Sequence, residues 1–456
     1  MKLLFTKQNW EFKLGIFIVL YYIISSIIFQ SDSIHRDTGL SNHLRVIPSQ
    51  VIDHYDTTVD LSDDPKLNKY AYVQYATTYE YFNLAILNFI ALRKSNTTIP
   101  NLVILYDDKL THYQNGKFNN LVQLCIQFNI KLKPIYAITP PSKSSTWAHS
   151  FSKLYIFNLI EYDRIVYFDS DSMFVNNQNI DELFKLPSSL QYAMPQAYWL
   201  NNIVENKPPF TSYHKQKLTI PDQGQYSAYC NKIVNKIKSG KFGDWFQLLP
   251  KLINDNHKYD NYNDFFGSHV MIVEPSRTVF QELYKYVYNP WYWKITNRSK
   301  LRLLEDYDME IINKYFNDKL RKNSDIQMGI LPHKEYGVLT GEFKEKFHKR
   351  FMAEPQFLPF IKKKDESEWD ANEVLKSIKL VHFSDAPIPK PWEEQDNYSY
   401  YNTFKIYCDQ QLDLKRYNQE YPSEYKPRLT SDCASVKIWN SFMDQFEANR
   451  EGYWVV

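Results

Sequence analysis

The 456-residue chain has no glycine-rich loop that could cradle the phosphates of a nucleotide: neither GxGxxG nor GxxxxGK[ST] occurs. Both the dinucleotide-binding Rossmann domain and the P-loop enzymes need such backbone N–H groups, so both are excluded. The four cysteines, Cys125, Cys230, Cys408 and Cys433, show neither CxxC nor the Cys/His spacing of a zinc site. Cys408 and Cys433 fall together near the C-terminus and are the expected disulfide pair if the chain matures in an oxidising compartment. An excess of one charge is missing too. Net charge is +2, and the longest basic run, three lysines at 362–364, is flanked by Asp365, Glu366 and Glu368. This excludes a phosphate-tracking stripe and, with it, a nucleic-acid partner. No internal repeat is present. The 36 tyrosines are spread along the whole chain and read as compositional bias and core packing rather than as a binding platform.

What is present begins with residues 14–29 (LGIFIVLYYIISSIIF), sixteen residues without a charge, preceded by Lys2, Lys7 and Lys13. The run is at the short edge of what spans a bilayer, and the bulky Ile27, Ile28 and Phe29 end it where a cleavage site would need small residues. It therefore reads as an uncleaved signal anchor, with residues 1–13 a cytoplasmic tail because of the lysines. A type II topology follows, and the short span suits the thin membranes of the early secretory pathway. Sequons at Asn96, Asn297 and Asn397 agree with a lumenal catalytic part. Residues 30–69, polar and with Asp/Ser clusters, read as a stem.

From residue 70 short apolar runs alternate with helical periodicity. Strands are expected at 71–76, 102–106, 131–135, 165–168, 269–273 and 379–383, and helices at 81–92, 119–128, 146–161, 278–288 and 308–316. That order predicts an α/β domain on a mostly parallel sheet, over residues 70–395. A polar, tyrosine-rich stretch at about 201–263 reads as an insertion, and 396–456 as a C-terminal extension. The most pointed feature is Asp169-Ser170-Asp171, directly after the apolar run 164–168. Residues i and i+2 of a strand point the same way, so Asp169 and Asp171 can both reach one hard cation at a carboxyl-end crevice. A second such pattern, Asp306-Tyr307-Asp308, follows no apolar run. Taken singly, His382 reads as a strand histidine, Lys153 and Lys390 as surface lysines, and Tyr81 as core packing.

Several segments occur in a fixed order: AYVQYATTYEYFNLAI, SKLYIFNLIEYDRIVYFDSDSM, FGSHVMIVEPS, DMEIIN, then VHF and KPW. In that order they resemble the glycosyltransferase family that contains glycogenin and bacterial galactosyltransferases, often called family 8. With the anchor, stem and insertion, the chain looks most similar to fungal Golgi N-acetylglucosaminyltransferases of that family. The resemblance implies a GT-A fold, a UDP-sugar donor and Mn²⁺ held by Asp169, Asp171 and His382, a ligand set of hard oxygens and one imidazole. It also places Asp169 near the donor ribose, Lys153, Ser268 and Lys390 at the donor phosphates or sugar, Tyr81 against the uracil, and Asp308 beside the transferred sugar and the acceptor.

The chain departs from the family in three places. Gly267-Ser268-His269 stands where relatives carry Asn-Ser-Gly. Met309 stands where relatives often have a glutamine, and its thioether is no substitute for an oxygen nucleophile. The stretch between His382 and Lys390 is two residues longer than in glycogenin. The resulting expectation is a Golgi, Mn²⁺-dependent, retaining transferase of N-acetylglucosamine from UDP to mannose-containing N-linked glycans. Two alternatives remain, a glycogenin-like glucosyltransferase and a non-catalytic, lectin-like membrane protein.

Overall fold

In the computed structural model the described residues are 43–112, 116–139, 146–197, 223–241, 243–250, 266–288, 307–321, 325–343, 371–383, 390–392, 405–421, 426–430 and 433–455. The central strands form where apolar and β-branched residues predominate, and the edge strands are shorter or more polar. In chain order they are β1 Leu44–Val46, β2 Tyr70–Ala76, β3 Asn101–Asp107, β4 Ile130–Ile135, β5 Arg164–Phe168, β6 Ser172–Phe174, β7 Tyr192–Pro195, β8 Val270–Val273, β9 Met328–Leu331, β10 Val338–Leu339, β11 Leu380–His382, β12 Ile406–Cys408 and β13 Arg428–Thr430. Eight of them make one sheet, ordered β1-β9-β7-β8-β5-β2-β3-β4. All its neighbours are parallel except β8, which runs antiparallel to β5 and β7. The mostly parallel α/β architecture expected from the sequence is the one observed.

The central strands of the sheet are buried on both faces. Tyr72, Leu102, Ile104, Val166, Phe168 and Ile272 pack on one side with Ile86 and Phe89 of the helix Tyr79–Lys94. Their neighbours Val73, Val103, Leu105, Ile165, Tyr167 and Met271 pack on the other, with Leu283 of the helix Arg277–Tyr288 and Ile312 of the helix Asp308–Arg321. This period of two under a continuous apolar run is what a doubly covered parallel sheet demands. The chain leaves β2 towards β3 and β4, then returns to β5 on the other side of β2. Successive crossovers thus diverge between β2 and β5, and the carboxyl ends of these two strands open a crevice.

Three expectations are corrected. The stretch read as a stem, 30–69, enters the fold from its described part onward: β1 pairs with β9, and Ile47, Val51, Ile52 and Leu61 are buried in the main core. Its average polarity conceals a few apolar side chains placed where the sheet edge needs covering. The helix expected at 146–161 is a 3-10 segment, Thr146–Asn158. Its end is engaged from outside, because the Ser276 N–H donates to the Phe157 carbonyl (2.8 Å). The C-terminal extension is part of the body: the helix Cys433–Glu451 buries Trp439, Phe442 and Phe446 in one cluster with Met173, Val381 and Phe383.

Within the insertion, the helices Gln223–Ser239 and Trp245–Leu248 close over the N-terminal edge of the sheet. The Arg45 guanidinium donates to the Leu249 carbonyl (3.2 Å) and to Gln247 (2.6 Å), and Tyr55 meets Trp245 edge-on. Cys408 and Cys433 are disulfide-bonded, as expected from their placement. Asn96 is exposed, in a left-handed turn after the helix Tyr79–Lys94. Among the described residues no helix is long and apolar enough to cross a membrane; the expected anchor at 14–29, the sequons at Asn297 and Asn397, and Asp306 lie outside them.

Because Ile47 is fully buried, Ile47→Ala should cost about 2–5 kcal/mol in urea unfolding, the range for truncating a core aliphatic side chain. A stem residue would cost almost nothing, so an unchanged midpoint would return this segment to the role of a tether.

Candidate active site

The buried strand β5 ends where its charge begins. Arg164 to Phe168 are all buried, and the next residue, Asp169, continues the ladder through its N–H to the His269 carbonyl (2.9 Å). The turn that follows is held by its backbone. Asn88 donates to the Ser170 carbonyl (2.9 Å), Gln74 to the Asp169 carbonyl (3.3 Å), and the Ser170 hydroxyl to the Tyr75 carbonyl (2.9 Å). Ser170 is thereby turned into the body, which leaves the carboxylates of Asp169 and Asp171 on the crevice side, as period-two geometry requires.

The chain then forms β6, which pairs antiparallel with β11, so that His382 lies opposite Ser172. A residue more than two hundred positions away is thus set beside Asp171. The His382 Nδ1 is 3.1 Å from the Asp171 carbonyl and 3.4 Å from its carboxylate. When Nδ1 carries the proton and donates to that carbonyl, the Nε2 lone pair is the ligating one. One donor atom from each of Asp169, Asp171 and His382 lies within 4.8 Å of the others.

Two lysines neutralise this acidic pair. Lys153, from the 3-10 segment, is 2.9 Å from Asp169 and 2.7 Å from Asp308 at the start of the helix Asp308–Arg321. It also donates to the Ser268 hydroxyl (3.2 Å) and carbonyl (3.3 Å), while the Ser268 hydroxyl donates to Asp308 (3.3 Å). Burial lowers the Lys153 pKa, but the two carboxylates outweigh it and the ammonium is held charged, above its ordinary range. Lys390 is in contact with Asp171 and stands over the Trp392 ring. Burial alone would raise the Asp171 carboxyl, yet Lys390 and then His382 hold it at about 2. Asp169 is the opposite case: burial lifts it above the usual carboxylate range despite Lys153, and Asp171 adds to the rise.

The candidate site residues Tyr81, Lys153, Asp169, Asp171, Ser268, Asp308, His382 and Lys390 are gathered at this end of the sheet. Tyr81, in the first turn of the helix Tyr79–Lys94 behind the Thr78 cap, is half-buried, and its hydroxyl is pushed up to about 12 by burial and by Asp171. Three further residues belong here. The Tyr167 hydroxyl donates to Asp169, Tyr75 stacks on Tyr167, and His269 stacks on His382. Tyr167 was legible, being two positions before Asp169 on one strand face. His269 stood out in the sequence only as a departure from the family pattern; its place beside His382 depends on the pairing of β8 with β5.

The chemistry of the donor set fits a hard divalent cation. Two carboxylates and one imidazole converge, three carboxylates in all face two ammonium groups, and no thiolate is present in the set. The same ion balance has a cost that can be measured. Replacing Lys153 by Met leaves two buried carboxylates without their shared cation, and stability should fall by about 3–5 kcal/mol at pH 7. Asp169, already raised, would rise further without Lys153. Its ionised form is then penalised above that pKa and relieved below it, so the deficit should shrink as the pH is lowered towards about 4. Urea unfolding of both proteins at the two pH values checks this; equal stability at pH 7 would contradict the bridging role.

No family model matches the chain. It is 50% identical over 461 residues to a Candida albicans protein named glucose N-acetyltransferase 1, covering 98% of this chain and 97% of that protein. The Debaryomyces hansenii protein of the same name is 43% identical over 468 residues, again with 98% and 97% covered. Among solved structures, the galactosyltransferase LgtC in complex with donor and acceptor sugar analogues is similar over 71% of this chain and 90% of that one, at 10% identity and a TM-score of 0.34. That last likeness is too low to bear on function. The first two are not: with about half of its residues shared over nearly the whole length, the chain belongs to the glycogenin-like glycosyltransferase family that includes the proteins named glucose N-acetyltransferase 1.

Proposed function

We propose that this glycosyltransferase moves N-acetylglucosamine from UDP to a mannose-containing N-linked glycan, with Mn²⁺ as its cation, retention at the anomeric carbon and a Golgi membrane location as a type II protein. The observation that carries the reading is the convergence of Asp169, Asp171 and His382 at the β2/β5 crevice, flanked by Lys153 and Lys390. The name of the relatives, glucose N-acetyltransferase 1, joins glucose to an N-acetyl group and supports that choice of sugar. The lumenal location rests on the charge pattern of the N-terminus.

Asp169, Asp171 and His382 would hold the cation, which when bound supplies Lewis-acid neutralisation of the departing diphosphate. The side chains of this chain do the rest. Lys390 and Lys153 are compact point charges at the two ends of the acidic pair, each able to turn part of its donor capacity to phosphate oxygens. Tyr81 offers a ring to the base beside Lys390. Asp308, fixed by Lys153 and Ser268, presents a carboxylate towards the hydroxyl groups of donor sugar and acceptor. With Met309 next to it and unable to attack as an oxygen would, the acceptor hydroxyl reacts on the face from which UDP departs, as front-side displacement requires. That path relies on electrostatic stabilisation of the leaving group rather than on a covalent intermediate.

Incubation of the full chain in detergent with UDP-GlcNAc, UDP-glucose or UDP-galactose, mannose oligosaccharides and Mn²⁺ should give transfer only from UDP-GlcNAc. Chelation should abolish it and Mn²⁺ restore it. Loss of several kcal/mol of charge stabilisation corresponds to a factor on the order of a hundred or more, and Asp171→Asn should lower transfer by that much without unfolding the chain. Transfer from UDP-glucose alone would favour the glucosyltransferase reading, and full activity of Asp171→Asn would show that other groups hold the cation.

A further inference from the structure

The tripeptide Gly267-Ser268-His269, which leads into β8, contributes at every position to the architecture of the site. The Gly267 N–H donates to the Pro195 carbonyl (2.8 Å), and Phe266 bridges to Gln196, so the tripeptide is tied to the end of β7. Ser268 contacts both Lys153 and Asp308. His269 offers its carbonyl to the Asp169 N–H and its ring to His382: the two imidazoles lie 5.1 Å apart, with their planes only 13° from parallel. Both rings are buried, at 5% and 9% exposure.

The seat of the His269 ring depends on a missing atom. A Cβ built at Gly267 would come within 2.6 Å of Cε1 and 2.7 Å of Nδ1 of His269, closer than real contacts allow. The φ of Gly267 is not in the left-handed region, so this glycine is required by space rather than by backbone conformation. At its edge the His382 imidazole is restrained through Nδ1 by the Asp171 carbonyl. On its face it is restrained by His269. An edge contact and a face contact together define the plane of a ring, where either alone would leave it one rotation.

We propose that His269 is a positioning residue for the cation site: its ring, admitted by the missing side chain at Gly267, holds the His382 imidazole in the plane that lets it converge with Asp169 and Asp171. This rests on the cation-site reading above. Stacked rings favour an offset parallel arrangement, and the face of one ring gains further when its neighbour takes on positive character, as a ligating imidazole does. Partners that orient ligating histidines contribute about 10–100-fold to metal affinity.

The test is binding of Mn²⁺ to the full chain in detergent in the presence of UDP, followed by loss of the free Mn²⁺ EPR signal, with no sugar transferred. His269→Ala should weaken Mn²⁺ binding at least about tenfold, and His269→Phe, which restores a flat ring, should return it to within about threefold of the original chain. Gly267→Ala should weaken it as His269→Ala does. Thermal unfolding in the absence of metal separates this from general damage: the affinities should order by ring placement, not by melting temperature. Mn²⁺ binding by His269→Ala within twofold of the original chain would overturn the proposal, as would a folded His269→Phe that binds as poorly as His269→Ala. If His269→Ala does not fold, the Phe and Gly267→Ala variants decide alone. A chain whose Mn²⁺ binding is absent, or unchanged by Asp171→Asn, would instead remove the cation-site reading beneath it.

Discussion

Lys153 carries its charge where burial alone would cost several kcal/mol, and it keeps that charge only because Asp169 and Asp308 approach it from two sides. The arrangement is reciprocal. Asp169 stands at the end of β5, where the Tyr167 hydroxyl donates to it, and Asp308 begins a helix packed on one face of the sheet. Removing the ammonium would leave both carboxylates desolvated and repelling each other. One interaction therefore fixes the distance between the strand that carries the acidic pair and the helix that carries the third carboxylate. The 3-10 segment that delivers Lys153 is fitted to that purpose: Ser152 Oγ accepts from the Ile138 N–H, and the Phe157 carbonyl accepts from the Ser276 N–H.

The crevice exists because the sheet is covered on both faces and changes direction once. Continuous apolar strands such as β5 need helices above and below, and the return of the chain across β2 leaves a gap that, among the described residues, no helix fills. Charge concentrates there because it is the place where a strand end can meet water or ligand without breaking a core. The small sheet of β10, β11 and β6 then solves a second problem, bringing His382 to Asp171 by antiparallel pairing rather than by proximity in sequence.

Much of this was legible in the residues. The alternation of buried runs and amphipathic stretches located β2, β3, β4, β5 and β8 to within a residue or so, and Asp169-Ser170-Asp171 marked the crevice because strand geometry makes i and i+2 equivalent. What escaped had a common cause, namely that its meaning depends on a partner far along the chain. β1 is three residues long and stands in a polar stretch, and only β9 gives it a reason to be extended. β6 and β10 are similarly short and defined by β11. Gly267 looks like an ordinary glycine until the His269 ring is placed against it.

The C-terminal extension makes the same point about the limits of the catalytic part. Lys390 lies over the Trp392 ring, Trp392 packs on Phe383 (5.7 Å) and on Phe446 (5.6 Å), and Phe383 directly follows His382. Phe446 belongs to the helix whose first residue, Cys433, is tied to β12 through Cys408. A ring cluster thus connects the lysine on Asp171 and the strand of the candidate ligand His382 to the last helix of the chain. The tail reaches further, since Asn83 exchanges hydrogen bonds with the backbone of Val455 (2.8 and 2.9 Å) one turn or less from Tyr81. Residues that looked like an appendage after a domain ending near 395 close the back of the site, so the part able to bind and position a donor extends from β1 to the C-terminal tail.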